Sequence, residues 1–124
     1  TSENIRHTKK FVVALPSEDQ KKTALDLGSV HGRDVGNKLQ IKDVKTEKSQ
    51  KFGLDVMSGA LAYFECELQD EMLFEEKGIC LSKVVNVYVK DDSWDDKEEC
   101  FNPGFKRNLH HVTGSTFCSG GELV

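Results

Sequence analysis

Residues 28–38 of this 124-residue chain read GSVHGRDVGNK and set a histidine, an arginine and a lysine among glycines, the first candidate for chemistry. Gly28, Gly32 and Gly36 stand four apart, with His31, Arg33 and Lys38 among them. Backbone amides bared by glycines, beside a guanidinium and an ammonium, could cradle an anion such as a phosphate. The spacing matches neither the dinucleotide fingerprint nor a P-loop, so on spacing alone a plain surface connection is the simpler reading. The other histidines are His7, His110 and His111. Neighbours in a strand point to opposite faces, so His110 and His111 do not share one metal ion. The cysteines, Cys66, Cys80, Cys100 and Cys118, lie 14, 20 and 18 residues apart, so no C-x-x-C pair offers a zinc site or a redox dithiol. Cys66 and Cys80 fall in apolar, strand-like stretches where free cysteine acts as a small hydrophobe. A reducing cytoplasm is therefore the expected compartment. No carboxylate pair and no serine, histidine and acid set is recognisable by spacing, which leaves a self-contained hydrolase unsupported.

Composition narrows the partners. Seventeen basic residues against 21 acidic ones give −4, and no basic stripe invites nucleic acid. No apolar run approaches the ~20 residues of a membrane span, and no signal peptide is evident. Hydrophobic residues at 37% and charged residues at 31% suit one globular domain over residues 1–124. The chain opens on Thr1, not Met, so a processed or truncated product is expected.

The elements that must position these groups follow from patterning. Ser2, Glu3 and Asn4 start a short helix, which Phe11-Val12-Val13-Ala14-Leu15 cuts off as a strand expected to be buried on both faces. Ser17 caps a helix with Glu18 and Asp19 in its first turn, an apolar stripe of Ala24, Leu25 and Leu27, and Gly28 at its end. Residues 39–44 read as a short edge strand, 45–51 as polar and exposed, and 53–59 as a bend. Along 61–68, Ala62, Phe64, Cys66 and Leu68 alternate with Tyr63, Glu65 and Glu67, which predicts a half-buried antiparallel strand with the carboxylates outward. Along 79–89, Ile79, Leu81, Val85, Val87 and Val89 mark its partner, and the acidic segment between reads as a hairpin connection. Residues 91–99, with Trp94, read as a solvated acidic loop, and a terminal strand is expected near 109–112. The result is a mainly β chain with one or two short helices.

The order of these pieces resembles the flavin reductase-like, FMN-binding split-barrel family of the flavoredoxin and ferric reductase type. The resemblance lies in Thr1 and Asn4-Ile5, then Phe11 to Glu18 (FVVALPSE), then His31-Gly32-Arg33-Asp34 and Asn37-Lys38-Leu39. It continues through Phe64-Glu65-Cys66-Glu67-Leu68 and the Val-rich stretch from Val84 to Val89, so it covers about residues 1–90. Three positions depart from it. His31 stands where the family commonly has serine, one extra residue precedes Lys38, and Lys77 and Gly78 stand where a histidine often begins the strand after the hairpin.

The resemblance implies a split β-barrel that lacks its first strands, about three of which would precede Thr1. It implies a homodimer with FMN near the subunit interface, and NAD(P)H as a reductant of flavin or, through flavin, of ferric ion. Carried over by position, Thr1 and Ser2 lie near the phosphate or ribityl chain and Asn4 braces that turn. His31, Gly32 and Lys38 lie near the phosphate or the mouth of the site. No catalytic residue is assigned. The alternatives, from other classes, are a non-catalytic flavin-binding electron carrier and a structural fragment that binds no flavin.

Overall fold

The computed structural model describes residues 2–40, 44–102 and 104–120, without the side chains of Arg33 and Asp91. A three-stranded antiparallel sheet, ordered β1-β4-β5, forms the frame. It is built from β1 (Lys10–Leu15), β4 (Ala62–Leu68) and β5 (Ser82–Val89). β-Branched and aromatic side chains dominate these strands, as pleated, packed backbone favours. β4 lies in the middle, pairing Val13 with Phe64 on one side and Phe64 with Val87 on the other. A register shift at Glu65/Cys66 bulges β5, so that Cys66 faces Val84.

Two faces result. Val12, Ala14, Tyr63 and Tyr88 pack beneath a hairpin of β2 (Thr46–Lys48) and β3 (Asp55–Met57), with Val56, Ala60 and Tyr63 at the centre of that core. The other face carries three apolar cross-strand rows: Phe11–Cys66–Val84, Val13–Phe64–Val87 and Leu15–Ala62–Val89. Helix α1 (Ser2–Thr8) and helix α4 (Glu71–Lys77) contribute the buried Ile5 and Phe74. Arg6 of α1 sits 5.2 Å from the Phe74 ring and Lys9 pairs with Glu71 at 2.6 Å, which ties the two helices together. Val13, Val84 and Val87 remain about half exposed, so β1 is not buried on both faces as its apolar run suggested. Among the described residues nothing covers that part of the sheet.

Several connections differ from expectation. Residues 69–78 hold α4, not a plain hairpin: Asp70 Oδ1 accepts the Leu73 amide at 2.8 Å, and Gly78 closes the helix in the left-handed conformation that glycine adopts cheaply. Segments 45–51 and 53–59 are the β2–β3 hairpin, and Ser49 is buried. Lys38–Gln40 form a 3-10 turn, not the start of an edge strand; residues 41–43 of that expected strand lie outside the described residues. Helix α2 (Lys21–Gly28) follows a 3-10 turn in which the Gln20 side chain accepts the Ser17 amide at 3.1 Å. The acidic segment forms a 3-10 turn and a small hairpin, β6 (Trp94–Asp95) with β7 (Cys100–Phe101), closed by an edge-on Trp94–Phe101 pair. The chain then enters β8 (Leu109–Thr113) and β9 (Thr116–Ser119). No helix among the described residues is long and apolar enough to cross a membrane.

Candidate functional site

Two stretches far apart in sequence line one open cleft of about 770 Å3. Helix α1 brings Ser2 and Asn4, and the glycine loop brings His31, Gly32 and Lys38. The structure therefore gathers five of the residues singled out from the sequence; Thr1 lies outside the described residues. The local reasons are visible. Glu3 stands in the first turn of α1 and Arg6 and His7 in its last, in the sense the helix dipole favours. Thr8 closes the helix by donating its hydroxyl to the Asn4 carbonyl at 2.8 Å. Part of the loop is itself helical: α3 spans Gly32–Val35, and Gly36 turns the chain back at φ 71°, where a side chain would be strained.

Lys38 is held in place. Its ammonium donates to the Leu27 carbonyl at the end of α2, 3.1 Å away, and two of its three protons remain for a ligand. A methyl group added at Gly32 would meet the Lys38 stem at 3.8 Å, an ordinary contact, so the fold does not require glycine there. Sequence reasoning missed Asn37, which lines the cleft and turns its side-chain oxygen to the Leu39 amide at 3.0 Å. Its signal was present, an asparagine directly before the loop's last lysine. Lys10 also borders the cleft, but its ammonium lies 5.1 Å from the Phe52 ring and 4.0 Å from Glu67, on the other face of the sheet. Phe11 lines the cleft and begins the first apolar row. The cleft thus joins a polar end, which holds the Lys38 ammonium and also the Glu3 carboxylate, to the apolar Ile5, Phe11 and Leu39. That combination fits an elongated ligand with an anionic tail and a flat apolar body, the shape of FMN.

The remaining candidates lie elsewhere. The His110 ring meets the Asn108 side chain at 2.7 Å and the His111 ring meets the Gly114 carbonyl at 2.9 Å. No cluster of three metal-ligating side chains exists among the described residues. All four cysteines are free, and Cys66 is the buried one, its thiol pushed up by burial.

Behind the cleft's sheet sits a buried carboxylate. Glu65, fully buried, accepts the amides of Lys51 at 2.9 Å and Phe52 at 2.8 Å and the side-chain amide of Asn86 at 2.7 Å. Burial alone would raise its pKa; hydrogen bonds from Asn86, Phe52, Ser49 and Lys51 outweigh it and hold the carboxyl below the usual range. The expected outward face of β4 is therefore inward. Tyr63 is equally buried, and its hydroxyl lies 2.7 Å from Glu47, 2.8 Å from the Met57 carbonyl and 3.0 Å from the Ala60 amide. Burial, then Glu47, raises its pKa well above that of a free phenol.

Sequence and fold match a known class. The family model described as flavin reductase-like domain matches residues 1–108, and the chain belongs to that family. Its fold is the flavin reductase-like split barrel, mainly β with short helices. The Escherichia coli protein YddH is 27% identical over 126 residues, an alignment that takes in all of this chain and 66% of YddH. An FMN-binding domain of a flavin reductases-like enzyme from Shewanella baltica superposes with a TM-score of 0.80 at 24% identity, over 100% of this chain and 66% of that one. Component B of nitrilotriacetate monooxygenase from Bacillus cereus gives 0.77 at 14% identity, over 99% and 62%. The chain thus spans about two thirds of the length of the proteins it matches.

Proposed function

We propose that this chain is the FMN-binding part of an NAD(P)H-dependent flavin or ferric reductase. Ser2, Asn4, His31, Gly32 and Lys38 take the phosphate and ribityl end of FMN, a role the family resemblance extends to Thr1. The observation that supports this is the convergence of α1 and the glycine loop on one cleft, with a tethered lysine at one side and Phe11 at its floor. Bound FMN would supply the redox chemistry, accepting a hydride from a reduced nicotinamide nucleotide and passing electrons to an acceptor. The chain's own residues bind and orient. Lys38 offers two charged donors, Gly32 lets an oxyanion approach the backbone, and the Ser2 and Asn4 side chains offer hydrogen bonds to hydroxyl groups. Phe11 offers an apolar contact to a flat ring system.

The same reading extends to a single domain acting as a homodimer in the cytoplasm. The half-exposed Val13, Val84 and Val87 favour burial against a further surface, and four unpaired cysteines suit a reducing compartment. A second reading, a non-catalytic electron carrier, is favoured by the close of α4, where Lys77 and the left-handed Gly78 leave no histidine.

Flavin fluorescence titration tests the binding role. Lys38→Ala should weaken FMN about ten- to a hundredfold, from the loss of a charge-assisted contact of about 1.5–3 kcal/mol. Riboflavin, which lacks the phosphate, should bind either protein alike. Equal losses for both flavins would remove the phosphate role of Lys38. Absence of FMN binding at micromolar concentration by the longest native form of the protein would remove the cofactor. Steady NAD(P)H consumption with added flavin separates reductase from carrier.

A further inference from the structure

Helix α3 starts after a residue whose side chain does not cap it. His31 is the N-cap, with φ −94° and ψ 136°, yet its imidazole makes no bond to the helix. Serine, threonine, aspartate and asparagine are the side chains that satisfy a helix's first amides, so the histidine ring gives α3 no such support. The ring is exposed, lines the cleft, and forms no hydrogen bond or ion pair among the described residues. Its place is beside Lys38, since a methyl group on the next residue, Gly32, would meet the Lys38 stem at 3.8 Å.

The charges around it decide what the ring does. The cleft is lined by Lys38, whose ammonium is tied to the Leu27 carbonyl, and by Glu3 of α1. Lys10 lines it too, but its ammonium is turned to Phe52 and Glu67, and Asp34 of α3 stands outside the lining. With His31 neutral, one ammonium and one carboxylate oppose each other, and the described side chains give an anion no net attraction. With His31 protonated, the lining turns cationic. Histidine is the side chain whose charge changes near neutral pH, and a phosphate monoester gains its second negative charge at about pH 6. We propose that His31 is the proton-gated cation of this cleft: protonated, it joins Lys38 on the phosphate of FMN, so that binding takes up a proton. The inference rests on the reading of the cleft as an FMN site. Its sign is fixed: the histidine's contribution is full in mild acid and is lost as pH rises through the histidine range. The phosphate's own second ionisation acts the other way on Lys38, so native protein and variant must be compared at each pH.

Calorimetric titration of the longest native form with FMN, in buffers of different ionisation enthalpy, counts the protons taken up. At about pH 7 the uptake should be roughly half a proton or more per FMN, and none for riboflavin. His31→Asn supplies a side chain that caps helices, so it should leave the melting temperature unchanged or raised. It should abolish the uptake and weaken FMN about three- to fivefold at about pH 6, with no loss at about pH 8. His31→Lys keeps its charge and should bind FMN more tightly than the native protein at about pH 8. Riboflavin should bind all three proteins alike. Uptake that persists in His31→Asn, or a ratio of native to variant affinity that stays constant with pH, overturns the inference and leaves the cofactor in place. Absence of FMN binding at every pH removes the cofactor reading and this inference with it.

Discussion

Replacing Glu65 by glutamine keeps shape and removes charge at a wholly buried carboxylate. Its oxygens receive the Lys51 amide, the Phe52 amide and Asn86 Nδ2 at 2.9, 2.8 and 2.7 Å. A hydrogen bond to a charged partner contributes about 1.5–3 kcal/mol and a neutral one about 0.5–1.5, so glutamine forfeits roughly 1 kcal/mol on each bond it can still accept. Its amide group must also face one of the former donors. Asn86 can rotate its own amide to relieve that clash, whereas the backbone amides cannot move. The sum is about 2–4 kcal/mol, or about 10 °C in melting temperature for a chain of this size. The sign of the pH dependence follows from the depressed pKa of Glu65. Stability from an acid held below its ordinary value of about 4.3 is present above that value and is lost as pH falls through the folded one. The gap between native and Glu65→Gln proteins should therefore be widest near neutrality and close in acid, because a protonated Glu65 resembles glutamine. Thermal and urea unfolding of both proteins from neutral to acid pH measures this. A loss under about 1 kcal/mol near neutrality, or a gap that persists unchanged in acid, would refute this role of the Glu65 charge.

Three further outcomes are expected. Asp70→Ala removes the cap that receives Leu73, and should cost about 1 kcal/mol in urea unfolding, whereas a neutral result would deny α4 its cap. A thiol reagent should label the exposed Cys80, Cys100 and Cys118 quickly and Cys66 only on unfolding; Cys66→Ala should destabilise by about 1 kcal/mol, and fast labelling of Cys66 would contradict its burial. Val87→Asp, on the half-exposed apolar face, should raise the dissociation constant for self-association by tenfold or so in sedimentation equilibrium. A native protein that stays monomeric at high micromolar concentration would count against any assembly through that face.

The sequence by itself determined the three sheet strands, because Val and Phe recurring at a strand's period prefer pleated, half-buried backbone wherever the chain later runs. It also determined that both early helices exist, although Ser2 is the first residue of α1 itself and Ser17 caps the 3-10 turn that leads into α2. The resemblance carried His31, Gly32 and Lys38 to the cleft, but composition and spacing alone did not distinguish that loop from an ordinary surface turn. Helix α4 carries its own signals, Asp70 as cap and Gly78 as stop, within a segment whose acidic residues also suit a hairpin connection. What only the tertiary structure decided is that β4 is buried on both faces, at Tyr63 and Glu65 as well as at Ala62 and Cys66. Alternation separates two sets of side chains without saying which set meets water, and polar residues are ordinarily assigned to the solvent. Here Glu65 is stable inside because residues 49–52, remote in the chain, fold over it and supply donors that water would otherwise provide. The same packing creates the β2–β3 hairpin, whose strands Thr46–Lys48 and Asp55–Met57 carry little strand preference of their own. Propensity is local, whereas the desolvation of a carboxylate is offset only by groups brought to it from elsewhere, and that balance does not exist until the chain has folded.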